Sequence, residues 1–130
     1  MENIEVFLKR FNEAFVANDI NYIVDCTTDD VNWTMVGEKT IHGKEGLAKI
    51  FNNPHGMSNL EINVKSIITN GREASVDGTM RMKDKEGKWK DYGFCDIYKF
   101  ADNENLKIKE LRSYIVDLST NLKSGEPHIS

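Results

Sequence analysis

From Leu60 onward the chain alternates apolar and polar residues between turn signals, and that pattern leaves few folds open. Leu60, Ile62 and Val64 keep the two-residue period of a half-buried strand. Asn70-Gly71 follows, a strong hairpin signal because a type I′ turn needs positive φ. Ala74, Val76, Gly78, Met80 and Met82 alternate in the next strand, and Asp84-Lys85-Glu86-Gly87 forms a second hairpin loop. A third strand carries Tyr92 to Phe100, a loop spans Ala101 to Asn105, and a last strand runs from Leu106 to Leu118.

The first half has a helical period. Ile4, Phe7, Leu8, Phe11, Ala14 and Phe15 form one buried stripe. Asn18-Asp19 breaks it, and Asp19 caps a short second helix with Tyr22, Ile23 and Cys26. Thr27-Thr28-Asp29-Asp30 ends that helix and leads into a strand, where Val31, Trp33 and Met35 share a face. After a turn at Gly37-Glu38-Lys39, Thr40-Ile41-His42-Gly43 leads into a third helix carrying Leu47, Ala48, Ile50 and Phe51. Asn53-Pro54-His55-Gly56 stops it. Helices first and a meander of strands afterwards argue an α+β fold. An antiparallel meander with one aromatic face must curl around the amphipathic helices, and any space left between them is a pocket.

Asp96 is the anomaly in this pattern. Alternation places it with Tyr92, Phe94, Tyr98 and Phe100, the most aromatic face of the chain. A carboxylate buried among apolar groups is costly and shifts its pKa. Two readings stand: a pocket carboxylate working as general acid/base or hydrogen-bond donor, or a structural partner of Arg112 or of an indole N–H. On the last strand Ile108, Glu110, Arg112, Tyr114 and Val116 share one face, and Leu111, Ser113 and Ile115 the other. Periodicity does not choose between them. With the polar face inward, Arg112 pairs with Asp96 or with an anionic substrate, and Tyr114 lies beside it. Trp33 walls the pocket or the core. Phe11, Phe15, Met35 and Met80 line the same space or are plain core. His42 is a pocket acid/base or an exposed turn residue.

Composition excludes several classes. A chain of 130 residues suggests one domain, over residues 1–118, with a polar tail at 119–130. The net charge of −4 leaves no basic footprint for nucleic acid. No apolar run approaches the ~18 residues of a membrane span. The acidic start lacks a signal-peptide core. Cys26 and Cys95 have no metal or redox spacing. They read as reduced thiols of a cytoplasmic protein. His42, His55 and His128 have no ligand spacing. Phosphate-loop, nucleophile-elbow and dinucleotide motifs are missing too. No metal or organic cofactor is expected.

Several local motifs carry a resemblance. They are Asn18-Asp19-Ile20, Thr28-Asp29-Asp30-Val31-Asn32-Trp33, and Gly37 followed by Ile41-His42-Gly43-Lys44-Glu45-Gly46. Asp96-Ile97-Tyr98-Lys99-Phe100 and Ile108-Lys109-Glu110-Leu111-Arg112-Ser113-Tyr114 complete the set. In this order, over residues 4 to 118, the chain resembles the nuclear-transport-factor-2-like (NTF2-like) superfamily, in its SnoaL-like, ketosteroid-isomerase-related branch. The resemblance implies a cone-shaped, cystatin-like roll: a curved antiparallel sheet wrapped around N-terminal helices. It also implies a deep pocket for an apolar small molecule, and a homodimer through the outer sheet face. It does not choose an activity, since this fold hosts isomerases, hydratases, cyclases, epoxide hydrolases and pure binders.

Ketosteroid isomerases use an Asp base with a Tyr and a protonated Asp as oxyanion donors. Asp96 falls at the place of that second Asp, but Phe11 stands at the Tyr and Met35 near the base. Steroid isomerisation by that route is therefore rejected. The Arg–Asp network of the limonene-epoxide-hydrolase branch is not matched as a whole either. The expectation is a small-molecule-binding SnoaL-like protein, in the first reading a cofactor-independent isomerase, cyclase or hydratase acting on an apolar carbonyl-bearing or cyclic compound. In it Asp96 moves a proton or hydrogen-bonds a developing oxyanion, while Arg112 and Tyr114 orient substrate and stabilise charge. The alternatives are a non-catalytic binder of an apolar ligand and a protein-interaction module.

Overall fold

A computed structural model describes residues 3–51, 58–84, 86–102 and 106–118. The helix stop expected at 53–56, Lys85, the centre of the 101–105 loop and the tail from 119 lie outside the described residues.

Helix α1 spans Ile4–Ala17. Asn3 caps it by accepting the Val6 N–H at 2.8 Å, and it ends at Asn18 in the left-handed region, φ 56°. It buries Phe7, Leu8, Phe11 and Ala14 of the expected stripe and one amide, Asn12, while Ile4 and Phe15 are partly buried. In α2 (Ile20–Asp25) Asp19 is the N-cap, its carboxylate accepting the Tyr22 N–H at 3.2 Å. Asp19→Ala is expected to cost about 1 kcal/mol of stability, read as a lower urea midpoint with an unchanged slope.

The other elements are β1 (Thr27–Met35), β2 (Lys39–His42), α3 (Gly43–Phe51), β3 (Ser58–Asn70), β4 (Glu73–Lys83), β5 (Trp89–Phe100) and β6 (Ile108–Asp117). They form one curved, open six-stranded sheet in the order β2-β1-β6-β5-β4-β3. The α+β expectation holds, with three local differences. First, β1 starts at Thr27, where a helix end was expected, and Lys39–His42 is a strand where a turn and helix entry were expected. Both segments are recruited by pairing: Trp33 lies opposite Ile41 in the β1–β2 hairpin. Second, β1 runs parallel to β6, with Trp33 beside Leu111 and Met35 beside Ser113. Local turn signals report only hairpins, so this long-range pair was not foreseen.

Third, the β3–β4 turn differs in type. Asn70 pairs with Glu73, so Gly71 and Arg72 are its central residues, and only Gly71 has positive φ, at 60°. That pattern belongs to type II′ rather than the expected I′.

The helices cover the concave face. Phe7 meets Phe100 edge-on at 5.4 Å, and Phe11 meets Tyr98 at 5.9 Å. Leu8, Val76 and Ile108 are fully buried in the same core. Among the described residues no helix is long and apolar enough to cross a membrane.

Candidate functional site

Asp96 lies midway along β5 on the concave face, partly exposed, between buried Phe94 and Tyr98. Sheet pairing sets Val76 of β4 on one side of it and Ser113 of β6 on the other. Its described hydrogen-bond partners are neutral. The Ser113 hydroxyl donates to the carboxylate, and the Tyr98 hydroxyl donates to Oδ2 at the long distance of 3.5 Å.

Each donor is itself held. The Trp33 indole Nε1–H donates to Ser113 Oγ at 2.8 Å. The Asn12 side chain hydrogen-bonds to Tyr98, and its amide is anchored by donating to the Leu8 carbonyl at 2.8 Å. Burial pushes the Asp96 carboxyl up to about 6, against the opposing pull of the two hydroxyls. Burial first, and then the nearby Asp96 charge, hold the Tyr98 phenol well above its usual value. The result is a carboxyl group that titrates close to neutrality, the range suited to general acid/base work.

The walls divide. Trp33 is buried and meets Phe15 edge-on at 5.6 Å. Phe15, Met35 and Met80 are only partly buried against the core. Phe11 is 1% exposed and packed between Phe7, Phe15 and Tyr98, so it is core rather than an accessible wall.

The inward orientation considered for Arg112 is corrected. Asp96 pairs with Ser113, so the inward residues of β6 are Leu111 and Ser113, both buried. Arg112 and Tyr114 pair with Ile97 and Cys95 and stand exposed on the opposite face. His42 is exposed on that outer face too, its Nδ1 2.7 Å from Asn32 Oδ1. Arg112 and His42 share an outer depression of about 300 Å³ with Asn32, Thr34, Thr40, Glu110 and Leu111. A second depression, of about 410 Å³, lies at the α1–α2 junction between Asn18, Asp19, Asp25 and Ala48. Neither touches Asp96. Among the described residues no group of three or more His, Cys, Asp or Glu is placed to hold a metal ion.

Sequence reasoning listed Ser113 and Tyr98 by face but gave neither a role, and it missed Asn12. One signal for Asn12 was present: it sits at i+4 from Leu8, a polar residue inside an apolar stripe. Ser113 carried no such signal, because its partner is 80 residues away.

A family model described as a SnoaL-like domain matches residues 8–110. No curated protein matches the sequence. Among solved structures, an NTF2-like protein of unknown function from Burkholderia pseudomallei K96243 superposes with TM-score 0.77 at 22% identity, over 89% of this chain and 92% of that one. A ketosteroid isomerase-like protein from Erwinia carotovora atroseptica SCRI1043 gives TM-score 0.69 at 17% identity, over 87% and 93%. A putative SnoaL-like polyketide cyclase from Shewanella putrefaciens CN-32 gives 0.70 at 15%, over 82% and 75%. At these identities the structural likeness speaks for the fold alone.

Proposed function

The chain belongs to the SnoaL-like domain family, and from that premise we propose that it acts on a neutral, largely apolar small molecule bearing a carbonyl or ring oxygen. Asp96 is the proton-handling group. The observation that carries this reading is the half-buried Asp96 carboxyl on the concave face, set between buried Phe94 and Tyr98, met among the described residues by neutral donors, and pushed up to about 6 by burial. Below that pH Asp96 donates a hydrogen bond or a proton to the ligand oxygen; above it the carboxylate accepts a proton from the ligand. Trp33, Phe15, Met35 and Met80 supply the apolar surround. The chemistry is of the isomerase, cyclase or hydratase kind and takes no metal or organic cofactor.

The test is a panel of cyclic ketones, enones and epoxides assayed from pH 4.5 to 8. Turnover is expected to bend near pH 6. A flat profile on a turned-over compound would remove Asp96 from the chemistry.

A second reading is a non-catalytic binder. The outward placement of Arg112 and Tyr114 favours it, because it leaves Asp96 without the charged helper expected beside it. Binding of a panel compound with no chemical change, and with equal affinity in Asp96→Asn, selects this alternative.

The reading includes a cytoplasmic homodimer joined through the outer sheet face. Exposed Tyr114 and Val116 lie on that face with Arg112. Val116→Asp is expected to convert the dimer to monomer in sedimentation velocity; a wild-type monomer at high micromolar concentration defeats the idea.

A further inference from the structure

We propose that Ser113 is the positioning residue of this site, its hydroxyl turned by Trp33 so that it fixes the Asp96 carboxylate. The proposal rests on the reading of Asp96 given above and adds the residues that hold it. An indole N–H donates and never accepts. Trp33 is 8% exposed and Ser113 5%, so this N–H has little water to bond, and it meets Ser113 Oγ at 2.8 Å. Ser113 Oγ accepts that bond and has one proton of its own to place. The acceptor facing it across the β5–β6 ladder is Asp96.

A second chain, from Asn12 through Tyr98, converges on Asp96 from the other side. Its last link of 3.5 Å is at the limit of a hydrogen bond. Ser113, opposite Asp96 across the ladder and anchored by the Trp33 indole, is the better-held of the two donors. Trp33 reaches Ser113 through the parallel β1–β6 pair, which sets Met35 beside Ser113 and Trp33 two residues earlier, beside Leu111. Facing Asp96 are Tyr98 on its own strand, Ser113 from β6, Trp33 behind it from β1, Val76 from β4, and Asn12 of α1 through Tyr98. Of these only Tyr98 ionises, and its proton is held far above neutral pH.

Trp33 is thus wired to the Asp96 proton and can report it. The chain has two tryptophans. The other, Trp89, is on the opposite face, with the Arg81 guanidinium 4.7 Å over its ring. In a Trp89→Phe background, Trp33 emission is expected to titrate with a midpoint near 6. The Asp96 carboxyl carbon resonance, assigned by its loss in Asp96→Asn, is expected to titrate with the same midpoint. Ser113→Ala is expected to abolish the emission change and to raise the carboxyl midpoint by about one unit, the loss of one hydrogen bond to a charged group. Ser113→Thr keeps the hydroxyl and is expected to restore both. If the alanine variant does not fold, Ser113→Cys carries the same test, because a thiol is a weak donor.

An unchanged carboxyl midpoint in the alanine or cysteine variant overturns the proposal. So does an emission titration that survives the loss of the hydroxyl. These readouts need no turnover. A protein that proves to be a pure binder, with both titrations intact, counts against the catalytic reading and leaves the role of Ser113 standing.

Discussion

Asp96→Asn is expected to abolish turnover and, at pH 8, to make the protein more stable than wild type by up to about 3 kcal/mol. The carboxyl titrates near 6 in the folded protein against a usual 3.8. In that interval the native state holds the proton more tightly than the unfolded chain. Wild-type stability is therefore full below about pH 4, falls as pH rises towards 6, and stays at the lower level above it. Asparagine has no charge to desolvate, and its side-chain oxygen still accepts from Ser113 and Tyr98. The difference between variant and wild type should open between pH 4 and 6.5 and be near zero at pH 4.

Urea unfolding at several pH values measures the stability half, and turnover of a validated substrate measures the other. A stability gap that does not vary with pH would contradict the desolvated placement of Asp96. Retained turnover would end its catalytic assignment. A variant more stable and less active is the usual sign that a buried ionisable group is kept for function at some cost to the fold.

Gly78→Ala is expected to destabilise the protein by roughly 2–3 kcal/mol, the range of a tightly overpacked site. A Cβ there would lie 2.1 Å from the Asn63 carbonyl oxygen and 3.0 Å from Val64 Cα. These are backbone atoms, so no side chain can swing aside. The β3 register also shifts just beyond this point, between Val64 and Ser66, as is common where glycine lets strands approach closely. Relief would require β3 to move off β4. Gly78 pairs with Phe94 and is two residues from Val76, the β4 partner of Asp96, so the movement would reach the site. Thermal and urea unfolding measure the cost; a variant within about 0.5 kcal/mol of wild type, the range of an innocuous surface change, would show that the close approach is wrong.

The candidate site was partly legible. Asp96 stood out because alternation within one strand is a local property, and Phe94, Tyr98 and Phe100 are indeed buried on its side of β5. The orientation of β6 was not legible. Leu111-Arg112-Ser113-Tyr114 alternates apolar, charged, small polar and aromatic residues, and both faces have something to bury. Hydropathy leans no way when a serine competes with an arginine for an inward place. Pairing settled it: the ladder that sets Asp96 opposite Ser113 also sets Arg112 opposite Ile97 on the outer face. The register shift between Lys99 and Phe100 lets Ile108 and Leu111 both turn inward despite their odd spacing. Phe11 lies on the expected helix face and is core, one of the two readings it allowed; helix periodicity gives direction and not distance from the edge of the core, so it could not choose between them.

The sequence by itself determined the order of helices and strands apart from β2, the amphipathic stripe of α1, the Asp19 cap, the hairpin positions of the second half and the odd carboxyl at Asp96. These follow from interactions between residues a few places apart. Only the tertiary structure decided that β1 lies parallel to β6, that Arg112, Tyr114 and His42 face away from Asp96, and that Trp33, Ser113, Tyr98 and Asn12 converge on it. Those outcomes depend on register between segments as far apart as 80 residues. One step of register turns every side chain of a strand to the other face, and no local pattern of residues carries that information.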